Sequence, residues 1–293
     1  MHLRLMLLGG GNALGQSLIR LGAEEDVDFY APRPPLTGWD AGSLDQLFSS
    51  RRFDVLINLA YYYDWFQSGL ADACCFDGQE AMVGHLARLC QQHGVILVEP
   101  SSYRVFDGSR ITAYVEEDAT IPLDVRGALL CRTEQLVREQ VTRHVILRFG
   151  WLLDDSPEGI LGRFLRRLEL PEAVPLADDR RGNPTAVEDA ARVMMAVLKQ
   201  LDCQAELWGT YHYGGHEATT PMGVAQLLIS EAAMFRAARA ELLPVAHASC
   251  PDACTEPQYG VLSCRKLLHT FGIRPRAWRT GLSGLLLSYY SRD

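Results

Sequence analysis

The sequence predicts an α/β protein: a doubly wound parallel sheet over residues 1–150, followed by a smaller α/β lobe. Apolar runs suited to strands buried on both faces alternate with helical segments as far as Phe149. The first of these runs ends in Gly9-Gly10-Gly11 and passes into a helix, as the opening of a βαβ unit does. Beyond residue 150 the alternation loses its regularity, which marks the change to a second lobe.

Taken in order, Leu3–Leu8 is the first strand and Ala13–Leu21 the first helix. Val27–Tyr30 is a second strand, stopped by Pro32, Pro34 and Pro35, which have no N–H to give to a ladder. Leu44–Phe48 reads as a short helix and Phe53–Ala60 as a third strand. Gly78–His93 carries Met82, Leu86 and Leu89 on one face at helical spacing. Gly94–Glu99 is the fourth strand, Gly127–Gln140 a helix and Val145–Phe149 the fifth strand. Such units cross over right-handedly and pair their strands in parallel. In the second half, Ile160–Leu168, Val187–Leu201 and Met222–Met234 read as helices, Thr210–Tyr213 as a strand and Pro244–Pro257 as loop. The expected division is a sheet domain of residues 1–150 completed by about 183–214, with residues 151–182 and 215–293 forming the lobe.

The 293 residues are 48% hydrophobic and 22% charged, enough for a core that needs no metal or disulfide staple. A net charge of −8 without basic runs argues against nucleic acid and anionic membranes as partners. No apolar run reaches the roughly 18 residues of a membrane span. The eight cysteines contain no CxxC pair and no zinc-ligand spacing, and no targeting segment precedes the first strand. A cytoplasmic protein with reduced thiols and no metal is therefore expected. His212 and His216 are too isolated for ligands and read as structural. Lysine occurs only at 199 and 266.

Gly9-Gly10-Gly11-Asn12-Ala13-Leu14-Gly15 lies between strand and helix, the context of a dinucleotide loop. Its glycines permit a tight turn, and the helix start offers N–H groups to a pyrophosphate. Asn12 replaces the middle glycine of the spacing and could crowd the phosphate. Arg33 stands after the second strand, where an NAD site carries an acid for the ribose. Arginine there suits a 2′-phosphate, so NADP(H) is expected over NAD(H). Asp40 either caps the next helix or faces the adenine. The aromatic cluster Tyr61-Tyr62-Tyr63 with Trp65 reads as packing or as a stacking surface near the cleft.

A series of motifs extends along the chain: the Gly9–Gly15 loop, Ile57-Asn58-Leu59-Ala60, Ser101–Gly108, Glu116-Glu117-Asp118, Pro122–Gly127, Leu147–Trp151, Gly182–Thr185, Gly209–His212 and Arg276–Leu282. With this series the chain resembles the extended short-chain dehydrogenase/reductases, specifically the dTDP-4-dehydrorhamnose reductase (RmlD-like) group. The resemblance implies a Rossmann-type domain, a C-terminal substrate lobe, NAD(P)H and a nucleotide-linked 4-keto sugar. It puts Ser102 at the family's catalytic Ser/Thr, and Asn58, Ala60 and Tyr61 along the cofactor cleft. Trp151 falls near the nicotinamide and substrate.

The chain departs from that family at its acid. The family's Tyr-x-x-x-Lys falls on Arg126 and Leu130. Reduction of a ketone leaves an alkoxide that a phenol can protonate, helped by a nearby ammonium. A guanidinium does not release its proton near neutral pH, and leucine carries no charge. No lysine precedes Lys199, so no shift of register supplies the pair. The family's Asp-Tyr-Val-Phe-Asp-Gly reads Tyr103-Arg104-Val-Phe-Asp-Gly108, and its late Arg-Pro reads Glu256-Pro257. A glutamate there should repel a diphosphate. Arg181, in an Asp-Asp-Arg-Arg turn, is a further candidate for contact with an anion.

Three functions remain open on these residues. One is a non-catalytic binding or regulatory protein, acting on a small molecule, a nucleotide-sugar or a protein partner, or as a homodimer. A second is an active NADPH-dependent reductase that uses another donor such as Ser102 or water. The third is a structural subunit with an empty pocket and no cofactor.

Overall fold

The computed structural model describes residues 3–36, 38–61, 77–156, 159–203, 207–236 and 239–291. Tyr62, Tyr63 and Trp65 lie outside them. Six parallel strands form the central sheet: β1 (Leu5–Leu8), β2 (Phe29–Tyr30), β3 (Val55–Asn58), β4 (Ile96–Ser102), β5 (His144–Phe149) and β10 (Gly209–Tyr213). Their spatial order is β10-β5-β4-β3-β1-β2. The order reverses at β1, and in open α/β sheets the crevice beyond such a switch point is where ligands bind.

Helices α1 (Ala13–Glu24), α2 (Ala41–Ser50), α3 (Asp77–His93) and α4 (Val125–Gln140) connect the strands. Two buried clusters cover the two faces of the sheet. One holds Leu5, Leu7, Ile57, Val98 and Leu147 against α1 and α6 (Val187–Asp202). The other holds Met6, Leu8, Leu56, Leu97 and Ile146 against α2 and α3. Alternate residues of one strand thus enter opposite cores, as the period of two requires. That two-sided burial explains why these strands read as continuous apolar runs.

Helix starts follow capping chemistry. The Asn12 side chain accepts from Gly15 N at the head of α1, Asp40 from Ser43 N at α2 and Asp124 from Gly127 N at α4. α2 begins three residues earlier than its apolar pattern suggests because Asp40 and Ser43 form a reciprocal capping box. Asp40 is exposed and serves as that cap.

The C-terminal half contains more strand than the sequence indicates. β6 (Trp151–Leu153) pairs with β9 (Pro184–Ala186), β7 (Ala173–Ala177) with β11 (Glu241–Val245), and β8 (Arg181–Gly182) with β12 (Tyr259–Gly260). The stretch expected as loop from Pro244 starts inside β11 and continues through a 3₁₀ turn at His247–Ser249. α5 (Ile160–Glu169), α7 (Pro221–Ala232) and α9 (Leu282–Tyr290) enclose a third apolar cluster that includes Leu161, Leu165, Leu228, Trp278 and Leu286. A further short helix, α8, spans Arg265–Phe271. Among the described residues no helix is long and apolar enough to cross a membrane.

Gly9 shows why the first loop needs glycine. Its φ is +81°, and a Cβ there would fall on the Leu59 carbonyl. Gly9→Ala should therefore destabilise the fold by about 1–3 kcal/mol, from left-handed strain plus the clash. Urea unfolding monitored by circular dichroism measures this, and an unchanged midpoint would show that the loop can move aside.

Candidate ligand cavity and dinucleotide loop

Strand β4 ends in a string of side chains with divided duties. Ser101 points down into a buried polar network and donates to Glu134 at 2.5 Å. Arg148 clamps the same carboxylate through Nε at 2.8 Å and Nη2 at 2.6 Å, and Arg138 adds a bond at 2.9 Å. Burial alone would raise the Glu134 carboxyl; the Arg148 guanidinium, with Ser101 and Arg138, instead holds it below the ordinary value. His212 accepts from Arg148 at Nε2 and donates from Nδ1 to the Tyr114 carbonyl, a tautomer consistent with both neighbours. Burial and the nearby Arg148 charge push the imidazole well below its usual value, so it stays neutral.

Glu99, on the same strand, is fully buried and accepts from Asn58 Nδ2 at 2.9 and 3.2 Å. Burial pushes its carboxyl up to about 8, so the group is largely protonated at neutral pH. Asn58, Glu99, Tyr61 and Leu130 line a small cavity of about 30 Å³. Leu130 is a buried apolar side chain against this polar cleft.

Ser102 caps a 3₁₀ turn over Tyr103–Val105 and faces a second cavity of about 310 Å³. Tyr103, Arg104, Arg126, Trp151 and Glu256 line it as well. The Tyr103 hydroxyl donates to Glu256 at 2.7 Å. Arg104, 7% exposed, forms ion pairs with Glu256 and with Asp124, the latter at 2.6 Å. Glu256 is therefore neutralised by Arg104 rather than free to repel a ligand, which changes the expectation drawn from its charge alone. Arg126, half-buried at the start of α4, forms no ion pair among the described residues, and burial together with Arg104 lowers its pKa from the ordinary value.

Arg181 is exposed and does not line the cavity; its neighbour Arg180 does, paired with Asp252 at 2.7 Å and lying 5.8 Å from the Trp151 ring. The physical reason is strand alternation: Arg181 begins β8 and its side chain takes the opposite side. Arg163 and Asp252 were not indicated by any motif, and of the Asp-Asp-Arg-Arg turn it is Arg180 that lines the cavity. An arginine on the cavity face of amphipathic α5 is a signal only once the partner surfaces are known.

At the other end of the crevice, Asn12 does two jobs. Its Oδ1 accepts from Gly15 N at 2.9 Å and its Nδ2 donates to the Leu59 carbonyl at 3.0 Å, drawing the side chain toward β3. A Cβ on Gly11 would meet open space, and the first-turn N–H groups of Ala13 and Leu14 have no hydrogen-bond partner among the described residues. That leaves an open N-terminal cradle suited to a phosphate. Ala60 N lies 3.4 Å from Asn58 Oδ1. Tyr61 is anchored to the 38–39 turn, accepting from Trp39 N at 3.1 Å. Arg33 is exposed. The two lysines stand away from both cavities: Lys199 pairs with Glu25 and Lys266 with Glu117.

A family model described as RmlD substrate binding domain matches residues 3–291. The chain is 25% identical over 290 residues to the dTDP-4-dehydrorhamnose reductase of Aggregatibacter actinomycetemcomitans, covering 96% of this chain and 98% of that one. It is 28% identical to the dTDP-4-dehydrorhamnose reductase of Mycobacterium tuberculosis (strain H37Rv), covering 97% and 92%. The fold is shared with a crystal structure of dTDP-4-dehydrorhamnose reductase from Bacillus anthracis in complex with NADP, at a TM-score of 0.82, 23% identity and coverage of 98% and 99%.

Proposed function

The chain belongs to the RmlD substrate binding domain family, and from that premise we propose that it is a binding or regulatory member without carbonyl reduction. The observation that carries this reading is the state of two positions. Arg126 and Leu130 stand where the family resemblance puts the tyrosine and lysine, one a guanidinium facing the cavity and the other a buried apolar side chain. Neither can deliver a proton to an alkoxide. Tyr103 does not make up the loss: burial raises its phenol and its proton is engaged by Glu256.

In this reading residues 1–150, completed by about 183–214, hold the dinucleotide, and residues 151–182 with 215–293 close over the second ligand. The residues fit NADP(H), which supplies a hydride when chemistry occurs. Gly9, Gly11, Ala13, Leu14 and Gly15 would hold the pyrophosphate and Arg33 the 2′-phosphate. Asn12, fastened to Leu59, leaves that cradle open. Asn58, Ala60 and Tyr61 would border the nicotinamide side.

Calorimetry of the purified chain should show NADPH binding at least about tenfold tighter than NADH, since an arginine–phosphate contact is a strong charge-assisted bond. NADPH absorbance should stay constant with a dTDP-linked 4-keto sugar. Turnover within the usual enzymatic range, about 1–10³ s⁻¹, would establish an active reductase with another donor. Failure to bind either dinucleotide would favour a structural subunit.

A further inference from the structure

The cavity beyond Ser102 is electrostatically distinct from its surroundings. Four arginines line it: Arg104, Arg126, Arg163 and Arg180. Arg104 is paired with Glu256 and Asp124, and Arg180 with Asp252. Arg126 and Arg163 are half-buried and form no ion pair among the described residues. Four cations against the three carboxylates Asp124, Asp252 and Glu256 leave a balance of one positive charge. Apart from Ser102 and Tyr103, the rest of the wall is apolar, formed chiefly by Trp151, Leu153, Phe164, Leu176, Val224 and Leu228.

Half-buried guanidinium groups without a counter-ion are costly, and a cavity lined by two of them, Arg126 and Arg163, suits an acceptor that arrives with the ligand. The acceptor is an anion, because guanidinium groups face it and, among the described residues, each carboxylate of the wall is already paired. One surplus charge matches a monoanion and falls short of a diphosphate. A volume of about 310 Å³ lies at the small end of ligand pockets, as suits a compact molecule.

We propose that this cavity binds a small monocarboxylate with an apolar or aromatic body, its carboxylate held between Arg126 and Arg163 and its body against Trp151, Phe164 and Leu228. The inference rests on the reading of the chain as a binding member of its family, and it gives Arg126 a role at the position of the lost acid. The arginine is then an anchor, and the substitution that removed a proton donor also installed a receptor for a different ligand class. Planar guanidinium groups suit this task, since they present paired N–H donors to the two carboxylate oxygens.

The test is calorimetry on the full chain with three probes: 3-phenylpropanoate, its uncharged amide and dTDP. The acid should bind roughly tenfold or more tighter than the amide, the scale of a hydrogen-bonded charge, and tighter than dTDP. Arg126→Gln and Arg163→Gln should each remove most of that preference while leaving amide binding unchanged, which shows that the cavity is still formed. Equal affinity for acid and amide, tighter binding of dTDP, absence of acid binding, or an acid preference that survives both substitutions would each overturn the inference. Should a variant fail to fold, the three probes on the unaltered chain still decide. Failure of the acid to bind while NADPH binds without turnover removes only this inference; turnover of a dTDP-linked 4-keto sugar removes the reading beneath it.

Discussion

Replacing Arg148 with methionine should cost about 3–5 kcal/mol at pH 7, the penalty for removing the bidentate buried partner of a buried charge. Glu134 is fully buried and takes two bonds from Arg148, while Ser101 and Arg138 supply one each. With Arg148 in place the folded carboxyl is held below its unfolded value. Its stabilising contribution is therefore full above the unfolded value and is lost as pH falls through the folded one. In Arg148→Met, burial dominates and raises the folded value above the unfolded one. The sign then reverses: the penalty is present at high pH and fades as the carboxyl takes up a proton. The difference between the parent and Arg148→Met should shrink from pH 7 to pH 5 in urea unfolding. Pairing the change with Glu134→Leu should recover part of the loss, because the stranded charge is gone. A deficit under 1 kcal/mol, or one that grows on acidification, would falsify this account of the network.

Arg148 also shows what could be read in advance. It interrupts Val145-Ile146-Leu147-Arg148-Phe149, and a charge inside a strand buried on both faces has to find a partner in the core. Glu99, closing Ile96-Leu97-Val98-Glu99, is the same signal. Both are visible in the sequence, but their partners lie 14 and 41 residues away: Glu134 is supplied by α4 packed on the sheet and Asn58 by the neighbouring strand β3.

The sheet itself was legible because burial on both faces writes each strand as an apolar run. β6 and β9 were not, since three residues cannot display a period. β7 and β11 were hidden by Pro175 and Pro244, which demote a strand reading and here sit in a pair outside the main sheet. The cavity divides the same way. Ser102, Trp151 and Glu256 stood in ordered motifs, whereas Arg163 and Asp252 come from a helix and a loop with no local mark of their use.

Glu256→Arg should cost about 3–4 kcal/mol, because it removes one of the two carboxylates that pair with buried Arg104 and sets one guanidinium against another. Arg104 and Glu256 occupy the positions where the family resemblance expects tyrosine and arginine, and in this fold the two side chains touch. If the resemblance holds at both positions, the two departures meet in one contact, with the cation on the side of Arg104 instead of position 256. Arg104→Tyr alone should also destabilise, leaving Asp124 and Glu256 without their shared cation. Combined, the substitutions should cost less than their sum, with a coupling of about 1–3 kcal/mol by unfolding in a double-mutant cycle. Simple additivity would mean that the two positions changed independently. The doubly substituted chain carries a second consequence. Four arginines would then face only Asp124 and Asp252, which raises the surplus positive charge of the wall from one to two. Affinity for dTDP should rise about tenfold by calorimetry, as one added charge-assisted contact to a diphosphate allows. The choice of ligand would then be set by which side of a single contact carries the cation, with the sheet, the glycine loop and the apolar wall left as they are.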